Sequence, residues 1–393
     1  MPQTVRLDVL IYAHDGRGLG HAGRSIGIGM ALRRLYPDLK VLFVSGCSLA
    51  QELIGAAPLD WLKLPSYETR VIEGKSIGIH GKSMFSDGEL GQFRARELAQ
   101  LVSLYRPRLV LVDHTPQGKH RELVAALSAG SGGDTRWILG VRGVVGAVLQ
   151  ARSGLARELF RAHYHGLLWY GDALVLGASH CEQLRLHYDT EPVECGYVLR
   201  LAELARWEGR VPGPEEPVAG AISIPWLGEN SLDFLVLLAG VLQKIPESYG
   251  RWWLFVNIDP STAAGQRLGA LFASMHNCRL EPPGRTYAAV LLQARTALIY
   301  GGYNSLMDVL HAGIPAVVVL RDMQDEEQQL HLHKLQEVAG EALATVSETG
   351  VTAEGLERLL LANLQRGALP SVVLNTDGAA CAAKYLHGLL SWG

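Results

Sequence analysis

Two glycines, an asparagine, a serine and an aspartate stand in one short stretch at Gly301, Gly302, Asn304, Ser305 and Asp308, and together they describe an anion site with a hydroxyl acceptor beside it. Glycine lets the backbone approach a ligand. Asn304 and Ser305 are N-cap types, and the free N–H groups of a helix N-terminus, with the dipole behind them, favour a phosphate. Asp308, about one turn further in, cannot sit on the phosphate itself. Its carboxylate suits the two hydroxyls of an attached ribose, which describes a nucleotide. A plain tight turn, with Asp308 only complementing the dipole, accounts for the same residues. Downstream, Asp325, Glu326, Glu327, Gln328 and Gln329 are acceptors and amides of the kind that sugar hydroxyls need.

The surrounding pattern supplies the elements that must position these groups. Thr296 to Tyr300 is an apolar, β-prone run ending on the glycines, and Ala316 to Leu320 reads as the next buried strand. Between them Leu306, Val309 and Leu310 fall on one helical face, and Gly313 with Pro315 is the expected stop. This is a βαβ unit with the helix N-terminus at the carboxyl edge of a parallel sheet. The second strand delivers residues 325–329 to the same edge.

Taken together, GGYNSLMDVLHAGIPAVVV followed by DEEQQ resembles the donor-binding motif of two-domain (GT-B) glycosyltransferases, nearest to the family of the peptidoglycan N-acetylglucosaminyltransferase and a related group of predicted bacterial transferases. The resemblance implies an α/β fold of GT-B architecture, two Rossmann-like doubly wound domains facing across a cleft. It places the pyrophosphate on Gly302 and Ser305, the ribose on Asp308 and the donor sugar on Glu327, Gln328 and Gln329, with Gly20, Gly301 and Asn304 also counted to the donor site. Asp308 stands where the family usually has Glu, so its reach is one methylene shorter.

Nearer the N-terminus, Leu7 to Tyr12 reads as a strand, followed by AHDGRGLGHAGRS and a helix over roughly Gly23 to Leu35. Gly16 and Gly18 imitate a dinucleotide fingerprint, but the next strand, Val41 to Val44, ends in Ser45 and Gly46 rather than the acid such a site needs. GLGHAGRS resembles the His-containing first loop of the GT-B families, and a histidine there can take a proton from an attacking hydroxyl. His21 is the candidate base; capping the helix is its plainer use. Asp113 and His114 follow the strand Leu109 to Val112. Asp113 either orients a histidine or caps a helix beginning near Gly118, and His114 is a second base candidate. Arg142 ends the strand Ile138 to Val141 where relatives often carry Arg-Asp, and is a candidate contact for a charged group on the acceptor. The segment 65–88 reads as a long polar loop expected to touch the acceptor. Ser86 with Glu89 is a capping box for a helix that Arg106-Pro107 ends.

Val193 to Val198 matches the handover between the two domains, giving 1–198 as the acceptor-side domain and 199–393 as the nucleotide-sugar-binding domain, with a last helix at about 377–390 crossing back. In the loop PWLGENS, Pro225 and Trp226 stand where relatives have a glycine cluster. Trp226, Gly228, Pro283 and Gly284 are candidates for the nucleotide pocket.

At 393 residues the chain is long enough for two cores, and 48% hydrophobic with 19% charged is a globular composition. A net charge of −3 argues against a nucleic-acid binder held by general electrostatics. Five cysteines without a CxxC pair fit neither a zinc knuckle nor a disulfide scaffold, and with no signal peptide or spanning segment they point to the cytoplasm. No metal is expected, because the chain lacks an Asp-x-Asp motif. No cofactor is expected either: the resemblance makes a nucleotide-sugar, of the UDP type, a substrate. Scarce lysine and no amphipathic basic face favour a small soluble acceptor over a membrane-bound one. A nucleotide-sugar hydrolase of the same shell and a non-catalytic nucleotide-sugar binder are the competing readings.

Overall fold

The structure, a computed structural model, describes residues 6–14, 19–72, 75–79, 84–130, 135–144, 153–209, 213–224, 226–228, 230–321, 327–367 and 373–391. Contacts divide the chain into two compact units, one of Met1–Arg70, Ser76–Glu208 and Leu374–Gly393, the other of Val71–Lys75 and Gly209–Val373.

Strands and helices alternate from the start: β1 (Val9–Ala13), α1 (Gly20–Leu35), β2 (Val41–Ser45), α2 (Ala50–Ile54), β3 (Asp60–Lys63), β4 (Glu68–Ile72), β5 (Lys75–Ile79), α3 (Asp87–Tyr105), β6 (Leu109–Asp113), α4 (Val124–Gly130), β7 (Arg136–Arg142), α5 (Gly154–His163), β8 (Tyr164–Tyr170), α6 (Ala173–Leu176), α7 (Ser179–Tyr188), β9 (Val193–Glu194) and α8 (Arg200–Glu208). The first sheet has the order β3-β2-β1-β6-β7-β8-β9, and its described pairings are parallel. Parallel strands covered on both faces read as continuous apolar runs, and VLIYA of β1 is buried at every position.

Two sequence expectations change here. The segment 65–88 contains a two-stranded sheet, β4 with β5, instead of a plain loop. Helix α1 starts at Gly20, so His21 lies inside its first turn. Gly27 and Gly29 do let α1 lie close: a Cβ on Gly29 would stand 2.8 Å from Leu59, and one on Gly27 3.3 Å from Val198. The capping box of Ser86 and Glu89 forms as read, and Arg106 closes α3 in the left-handed conformation.

The second unit continues with β10 (Val218–Ile224), α9 (Ser231–Leu242), β11 (Arg251–Val256), α10 (Ala263–Ala273), β12 (Cys278–Glu281), α11 (Thr286–Leu291), β13 (Thr296–Tyr300), α12 (Tyr303–Ala312), β14 (Ala316–Leu320), α13 (Glu327–Ala339), β15 (Leu343–Ser347) and α14 (Ala353–Arg366). Its sheet is parallel, in the order β12-β11-β10-β13-β14-β15. The chain then returns to the first unit as α15 (Gly378–Ser391), which packs on α1; Tyr36 and His387 stack at 3.7 Å, and Val198 bridges Asp377. No helix among the described residues is long and apolar enough to cross a membrane.

Both sheets reverse their winding once. In the first the chain goes from β1 out to β3 and resumes on the other side at β6; in the second it goes from β10 out to β12 and resumes at β13. The crevice beyond the carboxyl ends of the two strands at such a switch point is where open α/β sheets bind ligands.

Candidate active site

Strand register decides which side chains meet at the first switch point. Tyr12 pairs with Val112 across β1 and β6, so Ala13 runs level with Asp113, and His14 and His114 leave the sheet side by side. His114 leaves with φ +78°, uncommon for a residue with a Cβ, while its N–H donates to the Gly140 carbonyl at 2.7 Å. From α1, His21 reaches the same place. The His21 ring centre is 4.0 Å from that of His14 and 5.2 Å from that of His114.

One carboxylate orients the His21 ring. Asp113, at the end of β6 and only 2% exposed, accepts the His21 Nδ1 hydrogen bond on Oδ2. Its other oxygen accepts from Arg24, through Nε at 3.0 Å and Nη2 at 2.7 Å. Arg24 is itself buried, one helical turn beyond His21. With Nδ1–H donating to Asp113, the lone pair of His21 is left on Nε2. The side chain keeps 17% exposure.

Burial first, and then the charges of Arg24, Arg142 and Lys119, hold the His21 pKa well below the ordinary histidine value. His114 is held low as well, by burial, then by Arg142, His21 and His14, against a smaller opposing pull from Asp113. Both rings are therefore neutral at pH 7. His14, His21 and Asp113 also offer ligand atoms within 4.8 Å of one another, a spacing that a divalent ion accepts. The cations around His21 and the engagement of Asp113 Oδ1 by Arg24 oppose a dication there.

At the second switch point the register runs Ser223 with Ile299, Tyr300 with Val319 and Leu320 with Ser347. Gly301 therefore emerges next to Leu320, and Arg321 next to Glu348. A Cβ on Gly301 would stand 2.8 Å from Leu320 and 3.6 Å from the Gln328 side-chain oxygen, so this position suits glycine. Helix α12 opens on Gly302 as N-cap, without a side-chain cap. Asn304 and Ser305 are thus in the first turn rather than the cap. Both are half-buried, and Asp308 is 8% exposed.

The predicted residues separate into these two groups. His21, Asp113 and His114 come together, Gly20 starts the helix that carries His21, and Arg142 ends β7 near enough for its charge to act on both rings. Asp113 is not a helix cap: the short turn Lys119–Arg121 follows Gly118 without one. Gly301, Gly302, Asn304, Ser305 and Asp308 gather at α12, while Glu327, Gln328 and Gln329 form the first turn of α13. Trp226 and Gly228 are tied into the second crevice, Trp226 by its carbonyl to Arg321 and Gly228 by its N–H to Ser231. Pro283 and Gly284 follow β12, the edge strand two places from β10. Gly16, Gly18, Pro225, Asp325 and Glu326 lie outside the described residues. The sequence reading missed His14, Arg24, Arg321 and Glu348. Of these only Arg24 carries a local signal, standing three positions after His21 on one helix.

Protein-family models give no match to the sequence, and curated proteins give none either. Solved structures do. MurG of Acinetobacter baumannii aligns over 98% of this chain and 99% of its own, with a TM-score of 0.53 at 13% identity. The fold is GT-B. The UDP-GlcNAc 2-epimerase of Neisseria meningitidis, bound to UDP-GlcNAc, covers 98% of this chain and 100% of its own, with a TM-score of 0.62 at 12% identity. The glycotransferase of kitacinnamycin covers 98% and 95%, with a TM-score of 0.55 at 16% identity. The GT-B neighbours thus include both transferases and epimerases, and identities this low carry the fold alone.

Proposed function

We propose that this protein is a glycosyltransferase that moves a sugar from a nucleotide-diphosphate donor, of the UDP type, to a hydroxyl or amine of a small-molecule acceptor, with inversion and without a metal. The observation that carries the reading is the His21–Asp113 pair at the first switch point. His21 Nε2 takes the proton of the attacking acceptor group, while Asp113, held by Arg24, steadies the imidazolium that forms. The acceptor oxygen or nitrogen bonds to the anomeric carbon as that carbon's bond to the diphosphate breaks. In the second unit, the N–H groups that open α12 suit the charge of a diphosphate. A low His21 pKa suits this role, since the ring is neutral and ready to accept at pH 7. A cavity of about 700 Å³ in the first unit, lined among others by Gly88, Gly91, Gln117 and His120 but by none of His21, Asp113 and His114, is a candidate space for the acceptor.

A mass-resolved assay of the purified protein with UDP-, dTDP- and GDP-sugars, with and without an acceptor panel, tests the reading. Release of nucleotide that waits for acceptor supports transfer. Free sugar without acceptor marks a hydrolase, and an altered sugar still joined to the nucleotide marks an epimerase.

A further inference from the structure

At the second switch point an arginine reaches the loop after β10. Gly228 spends its N–H on Ser231 Oγ, at 2.8 Å. Arg321 crosses to this loop from the end of β14, its guanidinium carbon lying 3.7 Å from the Trp226 ring centre and 3.9 Å from that of Tyr300. Rings on both sides fix its plane.

Hydrogen bonds then fix its orientation within that plane. Nε donates to Glu348, at 3.2 Å to Oε2 and 3.3 Å to Oε1, while Nη2 donates to the Trp226 carbonyl at 2.7 Å and to Ser231 Oγ at 3.1 Å. Glu348 Oε1 also accepts from the hydroxyls of Ser231, at 2.7 Å, and Tyr300, at 2.6 Å. Both charged side chains are nearly buried, Arg321 at 8% exposure and Glu348 at 4%. The carboxylate is thus spent inward. Of the five guanidinium N–H groups, the two on Nη1 have no partner among the described residues.

A buried ion pair adds little stability over well-packed apolar residues, so stability alone gives weak reason for this one. Its position gives a better reason. It stands where β10 and β13 diverge, the crevice that the N-termini of α9 and α12 also border. A guanidinium held rigid with one donor edge open is preorganised for phosphate oxygens.

We propose that Arg321 binds the diphosphate of a nucleotide ligand through Nη1, with Glu348, Trp226 and Tyr300 as its positioning residues. The proposal rests on the nucleotide-diphosphate reading of this unit and goes beyond it by naming the cation.

The test is calorimetric titration of the full-length protein with UDP, dTDP and GDP, each beside its own nucleoside. Arg321→Met leaves Glu348 buried and uncompensated, so Arg321→Met with Glu348→Gln, which removes both charges, keeps the test available if the single variant fails to fold. The best diphosphate should lose about 10- to 100-fold in affinity, the range for a hydrogen bond to a charged group, while its nucleoside stays within about twofold. A diphosphate-to-nucleoside affinity ratio equal to the wild type's would overturn the assignment of Arg321 and leave the nucleotide reading standing. Wild-type protein that binds no diphosphate and no nucleoside would overturn both.

Discussion

At the switch point of the first sheet, three imidazoles gather beside one carboxylate, and burial, then nearby cations, lower the pKa values of His21 and His114; at that of the second, one guanidinium is paired with a buried carboxylate and packed between aromatic rings. The same topology therefore carries two kinds of chemistry. Neutral histidines can exchange protons near pH 7, whereas a guanidinium is a fixed cation. Groups that gain and lose protons suit a reacting centre, and groups of fixed charge suit a binding one. Each part of that contrast can be broken separately.

The largest effect should follow from Asp113→Ala. Arg24 would keep a buried charge without its carboxylate, and His21 would lose its orienting bond. Unfolding free energy should drop by about 3–5 kcal/mol, and turnover by at least about a hundredfold. Denaturant titration and steady-state kinetics read the two effects; a variant as stable as the wild type would remove Asp113 from the centre of the cluster.

Asp308→Ala probes the second unit. A ribose contact is remote from the reacting bond, so its loss should weaken donor binding by roughly tenfold and change kcat little. Calorimetry showing undiminished donor affinity would remove the ribose role.

Acidification separates the two crevices again. His21 and His114 have folded-state pKa values below the ordinary 6.5, so the unfolded chain takes up protons first as the pH falls. Their contribution is complete above about pH 6.5 and is lost as the pH falls from there through the folded-state values. Melting temperatures measured downward from pH 7.5 should decline below that point, and His114→Gln should flatten the decline. The acidic limb of kcat/KM should lie below pH 6.5. A limb above it would mean that Asp113 outweighs burial and the cations.

EDTA should have the smallest effect, none on turnover. Loss of activity restored by a divalent ion would instead assign His14, His21 and Asp113 to a metal.

How far the sequence carried this comparison depended on how local each feature is. The run from Thr296 to Leu320 was readable because a strand, glycines, an apolar face and a Gly-Pro stop lie in sequence order, and Gly313 does close α12 in the left-handed conformation. The pairing of Ser86 with Glu89 was readable for the same reason. Strands β4 and β5 were not, since ETRVI and KSIGI mix polar residues and glycine with few apolar ones. His14 is a lone histidine after a strand, and only the alignment of β1 with β6 sets it beside His114. Arg321 and Glu348 meet because β14 and β15 end level, which no local pattern announces.

Whether His21 is the base is decided by turnover measured beside donor binding in His21→Ala. Donor affinity, assigned to the second unit, should stay within about twofold while kcat falls by about a hundredfold or more, and His21→Gln should be similarly poor. Near-normal turnover in either variant would contradict the claim and move the base to His114 or Asp113.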